Sequence, residues 1–315
     1  MGVRGICMIF LMASFSLMVG CNSNNGSVTT KHGEHLTRLS DDARFVRWSP
    51  DGTKLAVITE SSFLAVYEEK DGGLRFSRYV DEETGLISSR SLAWGADGSK
   101  LYYFDYPKDK KTDEIIDFER GKVLSSADLK SKTRVNIDSS FFQFIDHVDA
   151  SPDGKSLYIN GKENYNEANS SMFIYQLDTA NYTNVSEQFG FSIQGDSRLS
   201  RDGQLLFVNA KIDGEVQGVI IELASGRHWV ISDEHLAEPS FSPDGRWLAY
   251  IELDHTIMVI PTDKKGDPTA IVHSDIAAAK LDWSPKGDRI AFTTANSNQW
   301  FTSYLYIMDV PERFR

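Results

Sequence analysis

The sequence predicts an all-β fold, a six-bladed β-propeller, on three observations. A turn motif recurs six times along 315 residues, apolar strand patterns follow the copies, and the two ends of the repeat array complete each other.

The copies read RWSPDGTKLAVI from residue 47, AWGADGSKLYYF from 93, DASPDGKSLYIN from 149, RLSRDGQLLFVN from 198, SFSPDGRWLAYI from 240 and DWSPKGDRIAFT from 282. Their glycines, Gly52, Gly98, Gly154, Gly203, Gly245 and Gly287, are 46, 56, 49, 42 and 42 residues apart, the period of a four-stranded propeller blade. Proline presets φ at the second turn position, aspartate tolerates the next, and glycine supplies the left-handed residue that closes the hairpin. Asp51, Asp97, Asp153, Asp202 and Asp244 are therefore turn formers. As metal ligands each would sit on a different blade, far from the others.

A third strand follows most turns, as in FLAVYEE (63–69), SMFIYQLD (171–178), GVIIELA (218–224), TIMVIPT (256–262) and SYLYIMDV (303–310). Weaker fourth strands follow, such as RHWVIS (227–232) and TAIVHS (269–274). Between residues 115 and 137 the pattern does not place the corresponding strands of the second blade. The last unit stops after its third strand, whereas HLTRLS (35–40) is a fourth-strand pattern with no predecessors. Pairing these two segments closes the ring and removes two open sheet edges.

Ahead of the repeats, MGVRGICMIFLMASFSLMVGC carries Arg4 and then an uncharged apolar run from Ile6 to Val19. That is a secretory signal, too short for a comfortable membrane span. It ends in Met18-Val19-Gly20-Cys21, which resembles the lipobox of bacterial lipoproteins, with Met18 where leucine is usual. The resemblance implies cleavage after residue 20 and lipidation of Cys21. Residues 21–34, polar and rich in Gly, Ser and Asn, are expected to be a flexible tether of about 20 Å, and residues 35–315 the propeller. Asn22 is not the aspartate that commonly retains lipoproteins in the inner membrane, so the expected place is the outer membrane, facing the periplasm.

The only cysteines are Cys7 and Cys21, so the exported domain is expected to have neither disulfide nor thiol nucleophile. Loss of the signal leaves 32 basic against 45 acidic side chains, a balance of −13 that repels nucleic acid and anionic headgroups. The membrane is expected to be reached through the lipid alone.

WSPDG, LAY and LYIMD, as they stand here, resemble the repeats of TolB-type six-bladed propellers, and the likeness runs from residue 35 to 310. TolB carries a further domain before its propeller where this chain shows only the tether. The chain is thus not expected to be TolB itself, and TolB's contacts are not carried over.

No nucleophile elbow, HExxH pair or phosphate-binding glycine loop appears. The seven histidines are scattered, and no cofactor is expected. In the broadly similar oligogalacturonate lyases a metal site is assembled across blades. Here it would need converging ligands that the repeat alignment does not supply. Aligned first-strand positions place Arg47, His147, Asp149, Arg198, Glu238 and Asp282 near the central channel, with Asp196 and Lys280 beside them, some as ion pairs between blades.

Loop lengths separate the two faces of the ring. The turn face is economical, whereas the opposite face collects residues 81–90, 105–114, 161–170, 187–196 and 295–302. Its aromatics Phe189, Phe191, Trp300 and Phe301, with Phe141 and Phe142 of another inter-blade segment, are candidate partner anchors. The expected function is a monomeric, non-catalytic, lipid-anchored scaffold for envelope proteins. The alternative is a propeller enzyme or a small-ligand (carbohydrate) binder using the channel mouth, metal-dependent or not.

Overall fold

In a computed structural model, residues 26–31, 33, 35–80, 87–105, 123–164, 166–273, 276–294 and 303–315 are described. The described residues form six antiparallel sheets arranged as the blades of a propeller. Blade one comprises Phe45–Trp48, Lys54–Ile58, Leu64–Lys70 and Gly73–Tyr79. Blade two comprises Ile87–Trp94, Lys100–Asp105, Val123–Asp128 and Thr133–Asn136, which supplies the strands that sequence patterning leaves unplaced. Blade three runs through Phe144–Ala150, Ser156–Lys162, Ser171–Gln176 and Tyr182–Asn184, and blade four through Ser192–Leu199, Leu205–Ile212, Glu215–Glu222 and His228–Ser232. Blade five holds Ala237–Phe241, Trp247–Ile251, Ile257–Pro261 and Thr269–Val272.

Blade six is assembled from both ends of the chain. Ala278–Trp283, Arg289–Thr294 and Leu305–Asp309 are joined by His35–Ser40, in the register Leu36↔Met308, Thr37↔Ile307, Arg38↔Tyr306 and Ser40↔Leu305. A further strand, Gly26–Thr29, pairs with His35–Ser40 and makes this sheet five-stranded. That strand lies within the segment expected to be tether. His35–Ser40 is otherwise an edge strand with open N–H and C=O groups, which Gly26–Thr29 satisfies at a cost of ordering four residues, of which Val28 alone is a large apolar one.

The six turns are built as their sequence demands. Each glycine sits at φ between +65° and +79°, and its N–H donates to the residue three before, at 2.9 Å from Gly52 to Ser49 and 3.0 Å from Gly154 to Ser151. The aspartates close the turns. Ser151 Oγ donates to Asp153 at 2.6 Å, the Lys155 amide donates to the same carboxylate at 3.0 Å, and Ser151 Oγ accepts from the Ser156 amide at 2.9 Å. Hydrogen bonds from Ser151 hold the Asp153 carboxyl below the ordinary aspartate value, and those from Ser99 do the same for Asp97.

The turns also touch one another round the ring. A Cβ on Gly203 would meet Pro152 at 2.8 Å, and one on Gly52 would meet Pro285 at 2.9 Å. Each of these glycines receives the proline of the preceding turn, a close approach that leaves no room for a side chain. At Gly245 the neighbour is Leu205 instead, because Arg201 stands where the fourth turn would have proline.

Six apolar clusters fill the spaces between successive blades. The residue just before the turn faces one of them in five of the blades, and Trp48, Trp94 and Trp283 are almost wholly buried there. Removing a buried indole costs about 3–5 kcal/mol, so these positions carry much of the packing between blades. The closing strand serves two clusters, with Leu36 between blades five and six and Leu39 between six and one. Beyond the last strand, Phe314 is buried edge-on against Trp247, with ring centroids 5.1 Å apart.

Candidate functional site: the channel and its two mouths

The first strand of each blade is a sheet edge that faces the channel, so its backbone N–H groups need partners from elsewhere. Polar side chains of the preceding blade supply them. Asp282 Oδ2 accepts from the Trp48 amide at 2.7 Å, Asp149 Oδ2 from the Leu199 amide at 2.8 Å and Ser240 Oγ from the Trp283 amide at 2.9 Å. One layer further along, Ser91 Oγ accepts from the Val148 amide at 2.7 Å and Asp196 Oδ2 from the Glu238 amide at 3.1 Å. The sequence places Asp149, Asp196 and Asp282 near the channel but gives no sign of this fastening, because the acceptor and its amide lie on different blades.

Around these contacts the charges pair. Arg47 lies 3.3 Å from Asp282 and 3.9 Å from Asp149; Arg198 reaches Asp149 at 3.5 Å and also bonds Asp282. Ser240 Oγ donates to Asp282 at 3.2 Å. Burial pushes the Asp282 carboxyl above the ordinary aspartate value, opposed by the Arg47 and Arg201 charges, the Trp48 amide and the Ser240 hydroxyl. The hub therefore joins blades one, four, five and six through the wholly buried Asp282 carboxylate, and blade three through Asp149.

A second layer lies toward the long-loop face. Lys280 donates to Glu238, and His147 Nε2 lies 3.3 Å from Asp149. Burial and the neighbouring Asp196 carboxylate push the Glu238 carboxyl up to about 7, against the pull of Lys280. Glu238 also has a φ of +53° and precedes Pro239, a conformation costly for any residue with a side chain. It occupies a bulge where pairing shifts between Ala237 and Ser240. The first strands of blades two, three, four and six carry comparable shifts.

Two cavities open on opposite faces. On the turn face, a cavity of about 140 Å³ is bordered by Arg47, Arg198, Arg201 and Asp149, with the turn residues Pro50, Ala96 and Pro152 at its rim. It exists because blade two carries Ala93 and Ala96 where other blades have larger side chains. On the long-loop face, a groove of about 700 Å³ lies between blades three and four, bordered by Glu163, Glu167, Asn169, Glu187, Phe191 and Lys211.

The candidate aromatics separate accordingly. Phe142 and Phe189 are buried and Phe141 is half-buried, stacked on Tyr182 at 4.1 Å. The expectation that Phe142 and Phe189 serve as surface anchors is corrected: each plugs the apolar cluster between two blades, where burying a phenyl ring is worth more than exposing it, whereas Phe141 packs on the edge of the same cluster as Phe142. Phe191, half-buried and 5.2 Å from the His228 ring, borders the groove. Trp300 and Phe301 lie outside the described residues, as does Cys21. Among the described residues no group of three His, Cys, Asp or Glu side chains converges as a metal site would require.

No protein-family profile and no curated protein matches the sequence. By structure the chain is similar to TolB from Acinetobacter baumannii, with a TM-score of 0.58 at 16% identity, covering 84% of this chain and 62% of that one. It is also similar to an oligogalacturonate lyase in complex with manganese, with a TM-score of 0.58 at 15% identity, covering 92% and 96% of the two chains. A chain of a nidogen/laminin complex reaches a TM-score of 0.58 at 8% identity, over 79% and 86%. At these identities the likeness is one of fold alone. The chain is a six-bladed β-propeller of the architecture found in TolB-type proteins.

Proposed function

We propose that this protein is a non-catalytic, lipid-anchored scaffold of the cell envelope, held by Cys21 at the periplasmic side of the outer membrane, with its partner contact in the long-loop groove between blades three and four. The observation that carries the reading is the division of labour between hub and groove. Asp282, Asp149 and Ser240 spend their hydrogen-bonding capacity on fastening blades together. The groove instead offers about 700 Å³ of open space beside a half-buried phenyl ring and charges of both signs. Its size falls in the range of about 300–1,000 Å³ typical of binding clefts, and aromatic side chains held at such a border are favoured anchors.

The groove is tested by photo-crosslinking in intact cells, with a benzophenone amino acid in place of Phe191 and, as control, in place of Asp153 on the turn face. Adducts from position 191 alone support the reading, and adducts from the control alone contradict it. The anchor is tested by Cys21→Ser, which is expected to move the protein from the membrane to the soluble periplasmic fraction.

A further inference from the structure

On the turn face, one residue breaks the rule that shapes the rest of the ring. Prolines occupy the second turn position in blades one, three, five and six, and alanine in blade two; blade four has Arg201. Its side chain does not pack on the next turn, since Gly245 meets Leu205 there. It turns over the channel mouth, where Nη2 donates to the Trp283 carbonyl of blade six at 3.4 Å.

The charges at that mouth do not balance. Arg47, Arg198 and Arg201 border the cavity together with Asp149, and the wholly buried Asp282 bonds Arg198 without itself lining the space. Both carboxylates are engaged by Arg47 and Arg198, by backbone amides and, for Asp149, by His147 at 3.3 Å. Among the described residues no carboxylate lies within ion-pair distance of Arg201. Burial works against its charged form, and the more distant Asp282 and Asp149 relieve that only in part, with Arg47 adding repulsion. A guanidinium stays charged in proteins, and Arg201, half-buried at the mouth, presents that charge with no close counter-ion to an anion that enters.

We propose that the turn-face mouth is a carboxylate-binding site, in which a ligand carboxylate enters the cavity and pairs with the Arg201 guanidinium beside Arg47 and Arg198. A planar guanidinium matches a carboxylate in two parallel hydrogen bonds. The volume of about 140 Å³ is close to that of a cavity known to hold one benzene, about 150 Å³. It therefore takes the carboxylate end of a ligand and not a sugar ring with its substituents. The apolar rim of Pro50, Ala96 and Pro152 favours a ligand whose carboxylate is carried on a short aliphatic stem. The site is distinct from the long-loop groove and stands or falls apart from the scaffold reading.

The test is a titration of the full-length protein, followed by tryptophan fluorescence, since Trp48 and Trp94 line the cavity. The probes are succinate, its uncharged analogue succinamide, and an acetylated Gly-Asp-Asp-Gly amide, at fixed ionic strength. The variant is Arg201→Pro, which restores the residue of the sister turns and is expected to fold as they do. Succinate or the acidic peptide is expected to bind saturably, succinamide not, and Arg201→Pro to weaken binding at least tenfold with a melting temperature no lower than that of the parent protein. Succinate binding alone names a free small acid as the source, and peptide binding alone names an acidic side chain of a protein. Equal responses to succinate and succinamide, or an unchanged affinity in a folded Arg201→Pro protein, overturn the proposal. Should Arg201→Pro fail to fold, Arg201→Gln is read in its place by the same criteria.

Discussion

Asp282 of the last blade accepts a 2.7 Å hydrogen bond from the backbone amide of Trp48 in the first. The two residues are 234 positions apart in sequence, and their contact fastens the seam where the ring closes. The same carboxylate receives Arg47 and Arg198, so one side chain satisfies a sheet edge and two guanidiniums at once.

Removal of that carboxylate leaves one buried amide without its acceptor and two buried guanidiniums with Asp149 as their one remaining carboxylate. Asp282→Ala is accordingly expected to cost about 3–5 kcal/mol, measured by urea denaturation. Ser240→Ala, which removes a neutral acceptor from the Trp283 amide, is expected to cost about 1–3 kcal/mol. Equal costs for the two would show that charge contributes nothing to the hub.

Glu238 sets a pH dependence. Its carboxyl stands at about 7 in the folded protein against 4.5 as a free side chain. Between these values the folded state holds a proton that the unfolded state has lost. The contribution of Glu238 to stability is therefore fully present below pH 4.5 and declines as pH rises to about 7, by about 3 kcal/mol at 1.36 kcal/mol per unit. Glu238→Gln is expected to flatten that decline in stability measured by urea at a series of pH values. An identical slope in the variant assigns the dependence to another group.

The turn contacts give a paired comparison. Gly203 and Gly226 share a φ of +71°, but a Cβ would strike Pro152 at 2.8 Å in the first and meet nothing within 4 Å in the second. Both alanine variants pay for the left-handed backbone, roughly 1 kcal/mol. Gly203→Ala is expected to lose about 1–3 kcal/mol more through overpacking. Calorimetry of the two proteins decides, and equal losses would mean that the ring of turns tolerates expansion.

The turns and the closing strand are legible in the sequence because both are local. Ser, Asp and Gly of one turn bond each other within five residues, and a fourth-strand pattern without predecessors announces its missing blade. The hub is only half legible. Alignment puts Arg47, Asp149, Arg198 and Asp282 in one layer, but which amide each acceptor meets depends on the neighbouring blade. Phe142 and Phe189 mislead because a ring in an inter-blade loop reads the same whether it points to solvent or back into a cluster. Arg201 is visible in the alignment as the cationic departure at the proline position; its turn inward over the mouth is not. The strand Gly26–Thr29 carries no apolar alternation beyond Val28, and its pairing is set by the edge it covers.

Ring closure is tested most directly by a disulfide between the chain ends, with T37C and I307C introduced together after Cys7 and Cys21 are replaced by serine. Thr37 and Ile307 are register partners, and such antiparallel pairs stand about 4.5–5.5 Å apart between Cα atoms, within the reach of a disulfide. Near-complete crosslinking of the folded protein under mild oxidation, a raised urea midpoint, and little crosslinking in the off-register pair T37C with D309C are predicted. Free thiols in the T37C and I307C protein, or equal crosslinking of both pairs, would contradict a propeller closed by its N-terminal strand.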